Sequence, residues 1–448
     1  MAARPTIFAP ATAAGRAGVA ILRASGPAAR DACRALTGTE PPPARQARLR
    51  DVRDREGQPV DRALLLWFDG PASLTGEDVL EVQVHGGPAL IAALLDHLAA
   101  VPGLALAEPG GFARQAFLNG KLDLTAAEGL ADLVEAETRA QLRQARRQLQ
   151  GDLGRLYETW RGEIMSGLAL AEAEIDFGAD QADVGMGASR GVRSRIAGTL
   201  AAIEAHLVDR RGERLRRGLT VAIVGPPNAG KSTLLNTLAG RDVAIVTDRP
   251  GTTRDRLEVA LDLGGYPLTL IDTAGLREAD DSVEAIGVSR AREAAAEADV
   301  VLLLFDGASW PVLDDGTLAL ADERALFAVS KVDLGVGHGA LRAGEHEAIA
   351  VSSRLEGGLD EVIAALQARA AAALDTGDAP LLTRARHRQA LGEAAEALRR
   401  LRDAPEDLEL ALVAEELRLA ASALGRITGR TGVEDVLDLI FGQFCIGK

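Results

Sequence analysis

The sequence predicts a multidomain α/β plus all-α protein, with an N-terminal α/β domain and a second α/β domain inserted into a discontinuous helical domain. The 448 residues are enough for two or three domains. Of these, 47% are hydrophobic but only 3% aromatic, so Leu, Ala and Val must fill the cores. A helical pattern of Ala, Leu, Glu and Arg is interrupted in mid-chain by alternating strands and helices, which indicates the insertion.

The first 120 residues are predicted to form the small N-terminal α/β domain. Apolar runs at 18–23, 63–68 and 79–84 have the length of strands, and residues 88–100 have a helical pattern.

Helical character begins at residue 121 and returns near the end of the chain. Residues 122–175 carry Leu and Ala at helical spacing without proline; a Gly- and Asp-rich loop at 176–190 and a helix at 193–217 follow. The similar composition on both sides of the insertion favours one discontinuous domain, although two separate helical domains would give the same pattern. The predicted domains are 1–120, 121–217, 218–376 and 377–448.

Charge and cysteine usage limit the partners and the compartment. A net charge of −15 argues against a broad nucleic-acid surface, while a local basic patch stays open. Cys33 and Cys445 have no metal-ligand spacing, which indicates a reducing compartment. The most apolar stretch, 88–107, contains Asp96 and His97 and is a poor membrane span, so we expect a cytoplasmic protein without membrane contact.

A strand, a glycine-containing loop and a helix open the inserted domain. The apolar run 219–224 leads into Gly225-Pro226-Pro227-Asn228-Ala229-Gly230-Lys231-Ser232, which fits G-x-x-x-x-G-K-S, and 232–238 is a predicted helix. The glycines let backbone N–H groups converge on phosphate oxygens beside the helix N-terminus. Lys231 would reach the β- and γ-phosphates, and Ser232 would bind Mg²⁺. The predicted contacts are Asn228, Ala229, Gly230, Lys231, Ser232 and Thr233.

Three further motifs lie at strand ends or in loops of the same domain. Asp272, after a strand at 267–271, can support the Mg²⁺ shell, and a threonine of the loop Gly251-Thr252-Thr253-Arg254-Asp255 can complete it. The strands around Gly264-Gly265 form a predicted hairpin. In Ser330-Lys331-Val332-Asp333, the Asp333 carboxylate can accept both hydrogen bonds from the N1–H and 2-amino group of guanine, which adenine lacks. The remaining predicted GTP contacts are Thr247, Asp248, Arg249, Pro250, Gly251, Thr252, Thr253, Asp272, Thr273, Ala274, Gly275, Ser330, Lys331, Asp333, Ser352, Ser353 and Arg354.

This ordered set of motifs resembles the translation-factor-like P-loop GTPase superfamily. One position departs from it: Ser330 stands where the superfamily usually has Asn. Each lost Asn hydrogen bond is worth about 1 kcal/mol, so we expect weaker guanine affinity with specificity kept by Asp333.

The group that orients the attacking water must differ from that of many small GTPases. Their Gln position is Leu276 here, which cannot orient water. We name Glu284 as the candidate catalytic residue, together with Lys231 and Asp272; the alternative is that Glu284 is an ordinary solvated carboxylate. Oxygen atoms of Asn228 and of the loop from Thr247 to Thr252 offer ligands for a monovalent cation near the phosphates. Such a cation would stabilise the developing negative charge in place of an arginine finger.

Over its whole length the chain resembles the MnmE (TrmE) family of bacterial tRNA-modification GTPases. Besides the nucleotide motifs, the matching strings are Ala17-Gly18-Val19-Ala20-Ile21-Leu22-Arg23, Leu74-Thr75-Gly76-Glu77-Asp78-Val79-Leu80-Glu81, His85-Gly86-Gly87-Pro88, Ala116-Phe117-Leu118-Asn119-Gly120-Lys121-Leu122-Asp123-Leu124 and the ending Phe444-Cys445-Ile446-Gly447-Lys448.

The resemblance implies an N-terminal folate-binding and dimerisation domain, a helical domain and an inserted G domain. It implies a homodimer that works with the flavoprotein MnmG, which carries FAD, in a heterotetramer or larger complex acting on tRNA. Together they would add a carboxymethylaminomethyl or aminomethyl group to C5 of the wobble uridine. The one-carbon donor would be 5-formyl- or 5,10-methylene-tetrahydrofolate, and K⁺ would stimulate GTP hydrolysis.

The resemblance also assigns residues to sites. Arg23, Glu81, Lys121 and Lys448 correspond to the family's folate contacts. Asn228, Thr247, Arg249 and Thr252 correspond to the K⁺ site, Ser232 and Thr253 to the Mg²⁺ site, and Glu284 to the catalytic glutamate.

Two other functions stay open at this point. A ribosome-assembly GTPase has a related Gly251-Thr252-Thr253-Arg254-Asp255 loop, but such proteins usually append a basic RNA-binding domain, which this sequence does not show. A nucleotide switch that recruits partners without catalysis is the other alternative.

Overall fold

The computed structural model describes residues 5–447 with several gaps. The residues outside the description are 1–4, 178–184, 242, 246–257, 273–291, 337–340, 376, 378, 406–407, 433, 443, 445–446 and 448. The chain forms two compact units, residues 1–131, 148–199 and 393–448 in one and residues 132–147 and 200–392 in the other. The four predicted domain ranges stay a prediction.

A six-stranded sheet organises the N-terminal part of the first unit. Its strands are β1 (Thr6–Pro10), β2 (Ala17–Ser25), β3 (Arg48–Arg53), β4 (Pro59–Phe68), β5 (Val79–Gly86) and β6 (Leu104–Leu106), in the order β3-β4-β5-β2-β1-β6. Neighbouring strands are antiparallel except β1 and β6. The helices are α1 (Ala29–Thr37), α2 (Pro88–Ala99) and α3 (Gly111–Leu118).

Alternation along the strands gives this sheet its core. On β2, Ala20, Leu22 and Ala24 are buried at every second position, as a half-buried strand requires. They pack in one cluster with Leu94 and Leu98 of α2. The predicted strands and helix of this domain are present, each extended or shortened by a few residues.

Long helices precede and follow the inserted domain. Before it lie α4 (Leu124–Glu135), α5 (Arg139–Leu149), α6 (Asp152–Phe177), α7 (Gly185–Val208) and α8 (Arg211–Arg217). The prediction that the loop extends to residue 190 is wrong, because α7 begins at Gly185. Buried Val192, Ile196 and Leu200 anchor this helix through packing, which outweighs the low helix propensity of its glycines.

Helix α6 packs along α13 (Leu410–Thr428), which lies near the end of the chain, so the two helical segments share one core. Thr428 Oγ1 donates to Glu158 Oε1 at 2.7 Å, and Arg418 pairs with Glu172 at 2.8 Å. This packing confirms a discontinuous helical domain. The helices after the insertion are α12 (Ala385–Asp403), α13 (Leu410–Thr428) and α14 (Glu434–Phe441).

The inserted domain is built on a seven-stranded sheet. Its strands are β7 (Leu219–Val224), β8 (Glu258–Leu263), β9 (Tyr266–Asp272), β10 (Val300–Asp306), β11 (Ala325–Ser330), β12 (Leu341–Ala343) and β13 (His346–Ala350), in the order β12-β13-β11-β10-β7-β9-β8. The five central strands are parallel, and the predicted hairpin through Gly264-Gly265 joins β8 and β9. The helices are α9 (Lys231–Ala239), α10 (Asp315–Leu318) and α11 (Asp360–Leu374).

Both faces of this sheet are covered, as a parallel sheet requires. Val221 and Ile223 of β7 belong to the cluster that includes side chains of α9 and α11. Ala222 and Val224 belong to the opposite cluster with Phe305. In the part of the chain that the structure describes, no helix is both long and apolar enough to cross a membrane.

Candidate functional site

The phosphate-binding loop joins the carboxyl end of β7 to α9. A Cβ built on Gly225 would lie 2.2 Å from the Leu304 carbonyl oxygen of β10, so only glycine fits there. Asn228 and Gly230 have φ values of +65° and +91°, left-handed conformations that curl the loop. Gly230 caps α9, and its carbonyl accepts from the Leu234 N–H at 2.8 Å. The loop therefore ends at a helix N-terminus, where the backbone dipoles favour an anion.

Lys231, the first residue of α9, folds its ammonium back over this loop. Nζ donates to the carbonyl oxygens of Gly225 and Pro226 at 2.8 and 2.9 Å. Ser232 and Thr233 follow in the first helical turn and are exposed. The predicted phosphate ligands of the loop thus lie together at one end of the helix.

Strand β9 brings Asp272 to the same edge of the sheet. β7 and β9 are parallel, and Ile223 pairs in register with Asp272. Asp272 is the last residue of β9, so its backbone lies next to the strand that leads into the phosphate loop.

A cavity of about 160 Å³ lies beside the phosphate loop, where guanine is predicted to bind. Three segments line it that the sequence predicts to bind nucleotide: the start of α9, the end of β11 and the loop after β13. The lining includes Gly230, Thr233, Ser330, Lys331, Asp333, Ser353 and Arg354. Segments more than 100 positions apart are therefore brought to one site.

Ser352 orients the predicted base-reading carboxylate. Its Oγ donates to Asp333 Oδ1 at 2.7 Å and accepts from the N–H groups of Arg354 and Leu355 at 3.2 and 3.3 Å. Ser352 is 1% exposed, so these bonds are sheltered from water. Sequence reasoning included Ser352 only as a base-loop contact.

Asp306 is a site residue that the sequence analysis missed. Its Oδ2 accepts from Lys331 Nζ at 2.7 Å, and Lys331 has a left-handed φ of +55°. Burial raises the pKa of Asp306, but hydrogen bonds from Lys331 and the Ala308 N–H outweigh this and lower that pKa below its usual value. The missed signal was its position at the end of buried strand β10, which matches that of Asp272 at the end of β9.

Ser330 lies beside the phosphate loop without bonding to it. A Cβ built on Gly230 would lie 3.9 Å from Ser330 Oγ, and that hydroxyl donates to the Phe305 carbonyl at 3.2 Å. The side chain is short of the loop, which is consistent with the expected loss of the usual Asn contacts.

A second polar site lies in the N-terminal part of the first unit. Arg23 on β2 donates through Nε and Nη2 to Glu81 Oε1 on β5, at 3.0 and 2.8 Å. Both side chains are mostly buried, at 17% and 16% exposed. The Arg23 guanidinium lies 5.5 Å from the Phe112 ring centroid, and its Nη1 donates to the Gly447 carbonyl at 3.4 Å. Residues from both ends of the chain therefore meet here.

Comparison with known proteins covers the whole chain. A family model described as the MnmE helical domain matches residues 124–445, and one described as the GTP-binding protein TrmE N-terminus matches residues 6–121. The tRNA modification GTPase MnmE of Parvibaculum lavamentivorans is 53% identical over 451 residues, covering 99% of this chain and 100% of that protein. The chain belongs to the MnmE family.

A second relative agrees with this assignment. The tRNA modification GTPase MnmE of Rhodospirillum rubrum is 53% identical over 457 residues, and the match covers 99% of this chain and 99% of that protein. Among solved structures, an Aquifex aeolicus Era variant bound to GDP and AlF₄⁻ is 26% identical over 40% of this chain and 66% of that chain, with a TM-score of 0.26. Membership in the MnmE family of GTPases makes this chain a GTP hydrolase, and the predicted fold class is confirmed.

Much of the MnmE-like switch region lies outside the described residues. The predicted nucleotide-site residues that lie outside the described part are Thr247, Asp248, Arg249, Pro250, Gly251, Thr252, Thr253, Thr273, Ala274, Gly275 and Glu284, together with the side chain of Asp272. The predicted folate residue Lys448 also lies outside it. Lys121, the remaining folate residue, donates from Nζ to the Pro71 carbonyl at 3.0 Å. All of these assignments stay predictions.

Lysine is almost absent from this MnmE-family chain. Of its 50 basic residues, 46 are arginine and four are lysine, namely Lys121, Lys231, Lys331 and Lys448. All four are predicted ligand positions. At the four lysine positions the predicted ligand contact is a compact ammonium, whose geometry a planar guanidinium does not reproduce.

Proposed function

We propose that this chain is a K⁺-stimulated GTPase that, with the flavoprotein MnmG, adds a carboxymethylaminomethyl or aminomethyl group to C5 of the wobble uridine of certain tRNAs. The observation that supports this most is the match to relatives named tRNA modification GTPase over 99% of the chain. The proposal includes a cytoplasmic homodimer that joins MnmG in a heterotetramer or larger complex.

Selection of GTP rests on the cavity beside the phosphate loop. Asp333, held by Ser352, accepts from the N1–H and 2-amino groups of guanine, and Lys331 lines the same cavity. Asp306 holds the Lys331 ammonium in place. This arrangement orients the base by hydrogen bonds that adenine cannot complete.

Hydrolysis is assigned to the phosphate loop, the segment that precedes β8 and the segment that follows β9. Lys231 and the N–H groups at the start of α9 hold the phosphates. Ser232 and Thr253 would hold Mg²⁺, whose chemistry is to neutralise developing phosphate charge. Asn228, Thr247, Arg249 and Thr252 would hold K⁺, and Glu284 orients water through its carboxylate. The exposed Ser232 hydroxyl and the left-handed Asn228 fit these roles.

The tetrahydrofolate site is assigned to Arg23, Glu81, Lys121 and Lys448. Arg23 takes up only one oxygen of Glu81, so the second can accept from a pterin amino-amide edge. The cationic side chains suit a carboxylated ligand. FAD would reside on MnmG and not on this chain.

The deciding experiment is nucleoside analysis of tRNA from a deletion strain that carries this chain or a variant. The wild-type chain restores the modified wobble uridine, whereas Glu284→Gln does not, although it binds GTP normally. Unaltered wobble uridines in the deletion strain would refute the proposed function.

The cation and folate assignments are tested separately. GTP turnover is expected to be faster in K⁺ than in Na⁺, and equal rates would remove the K⁺ proposal. Arg23→Gln is expected to weaken 5-formyl-tetrahydrofolate binding at least about tenfold through loss of a charged contact. Arg34→Gln, an exposed arginine of the same domain that pairs with Glu40, is the matched control.

A further inference from the structure

Helix α5 carries arginines on successive turns of its exposed face. Arg139, Arg143 and Arg146 are exposed and fall within one narrow sector of the helix, because residues four and seven apart lie on the same side. At about 1.5 Å per residue, the row is about 10 Å long. The opposite face is buried through Gln144 and Ala145.

These arginines differ from most others in the protein. Guanidinium groups elsewhere are commonly neutralised, as in Arg388 with Glu213 at 2.8 Å or Arg400 with Glu416 at 2.8 Å. Within the ranges that the structure describes, the side chains of Arg139, Arg143 and Arg146 make no hydrogen bond or ion pair. Three uncompensated cations in a row are notable in a chain of net charge −15.

Neighbouring α8 adds to the positive charge. Arg214 and Arg217 share the single carboxylate of Asp299, at 3.2 and 2.7 Å. Arg216 and Arg384 likewise share Asp132, at 2.9 and 2.7 Å. The Asp299 carboxylate neutralises one of its two guanidinium groups, so the cluster of Arg214, Arg217 and Asp299 keeps one positive charge. Helices α5 and α8 line a common cavity of about 310 Å³, α5 through Gln141, Gln144 and Ala145 and α8 through Leu215, Arg216 and Arg217. The acidic side chains Asp132, Glu135 and Glu137 also line this cavity, and the row Arg139, Arg143 and Arg146 lies outside it.

Helix α5 is also fixed in place by contacts on its other sides. The Ala140 N–H donates to the Gly265 carbonyl in the turn between β8 and β9 at 2.9 Å. Gln141 Nε2 donates to the Arg216 carbonyl at 3.3 Å, and Arg147 Nη1 donates to the Gly377 carbonyl at 2.7 Å. These contacts hold the backbone of α5 in place, so little backbone conformational entropy would be lost when a ligand binds.

We propose that Arg139, Arg143 and Arg146 form a docking row for the phosphate backbone of tRNA. This inference rests on the proposed function, which makes tRNA the substrate. Phosphate contacts give affinity and position without reading sequence, which suits a row that contains only arginines. Charge complementarity selects a polyanion, and RNA is the polyanion that the proposed reaction requires.

The test measures binding of an unmodified tRNA transcript to the full-length chain by fluorescence anisotropy over a range of salt concentrations. In R139Q/R143Q/R146Q we expect binding at least about tenfold weaker near 0.1 M salt and a salt slope smaller by about 2–3. R139K/R143K/R146K is expected to keep most of the slope, because charge is retained. The matched control R16Q/R55Q/R195Q removes three other exposed arginines that lack partners in the described structure and should bind like wild type.

Thermal melting and GTP turnover establish that each variant is folded. If wild type binds tRNA and R139Q/R143Q/R146Q binds with the same affinity and slope, the docking row is refuted while the proposed function stands. If the wild-type chain does not bind tRNA, the docking row is refuted, and the nucleoside analysis of the deletion strain decides the proposed function separately. Equal loss in the control variant, or equally effective competition by polyglutamate per charge, would also overturn the assignment to RNA.

Discussion

Removal of the Ser352 hydroxyl tests how the base-reading carboxylate is held. Ser352→Ala deletes the 2.7 Å hydrogen bond to Asp333 and two weaker bonds from backbone N–H groups. A hydrogen bond to a charged group contributes about 1.5–3 kcal/mol. Because the Asp333 side chain is 16% exposed, we take the lower part of that range, about 1.5–2 kcal/mol. This predicts about 10- to 30-fold weaker binding of GTP and GDP.

The assay is equilibrium titration with a fluorescent GDP analogue, followed by competition with GTP and ITP. ITP lacks the 2-amino group, so a disoriented Asp333 should lower the preference for GTP over ITP. Ser166→Ala, which removes a hydroxyl bonded only to a helix carbonyl on α6, is the control and should change neither value. An affinity for GTP within twofold of wild type, or an equal loss for both nucleotides, would refute the role of Ser352 in orienting the carboxylate.

Three further predictions follow from individual residues. Burial lowers the pKa of His206 from 6.5 to about 4, so the unfolded state binds its proton first as pH falls. Protonation of His206 should lower the free energy of unfolding by up to about 3 kcal/mol as the pH falls from 6.5 to 4, with no effect above pH 7.5. Chemical denaturation at several pH values should show a smaller loss of stability in acid for His206→Gln than for wild type. The same pH dependence in both proteins would contradict this. Gly225→Ala places a methyl group 2.2 Å from the Leu304 carbonyl oxygen, so it should lower the free energy of unfolding by about 1–3 kcal/mol and abolish GTP binding. The control Gly162→Ala, where a methyl group meets open space on α6, should do neither. An unchanged melting temperature in Gly225→Ala would be inconsistent with this close packing. Ser330→Asn should tighten GTP binding about threefold to tenfold by gaining about 1 kcal/mol, and titration that finds no gain would show that the usual Asn bonds do not form in this site.

Local patterns were enough to predict the elements that position the nucleotide. The apolar run before Gly225 and the Gly264-Gly265 turn are short-range signals, and the structure has β7, β8 and β9 where they indicate. The pairing of α6 with α13 was left open by sequence, because two separate helical domains would show the same periodicity. Packing between segments more than 200 positions apart decides it.

Polar partners brought together by the fold were harder to predict. Arg23 and Glu81 are 58 positions apart and meet only because β2 and β5 pair in register. The same holds for Asp306, the last residue of β10, and Lys331, which directly follows the neighbouring strand β11. The start of α7 was missed because the buried side chains after Val192, and not the glycines before it, determine that helix.

The small number of lysines has a consequence for chemical labelling. Apart from the N-terminal amine, a reagent that acylates primary amines has only four targets on this chain, and each is a predicted ligand position. The three described ammonium groups are each bonded to oxygen: Lys121 to Pro71, Lys231 to the phosphate loop and Lys331 to Asp306. Mass spectrometry of acylated protein would therefore test the predicted nucleotide and folate positions separately, residue by residue, without any engineered probe.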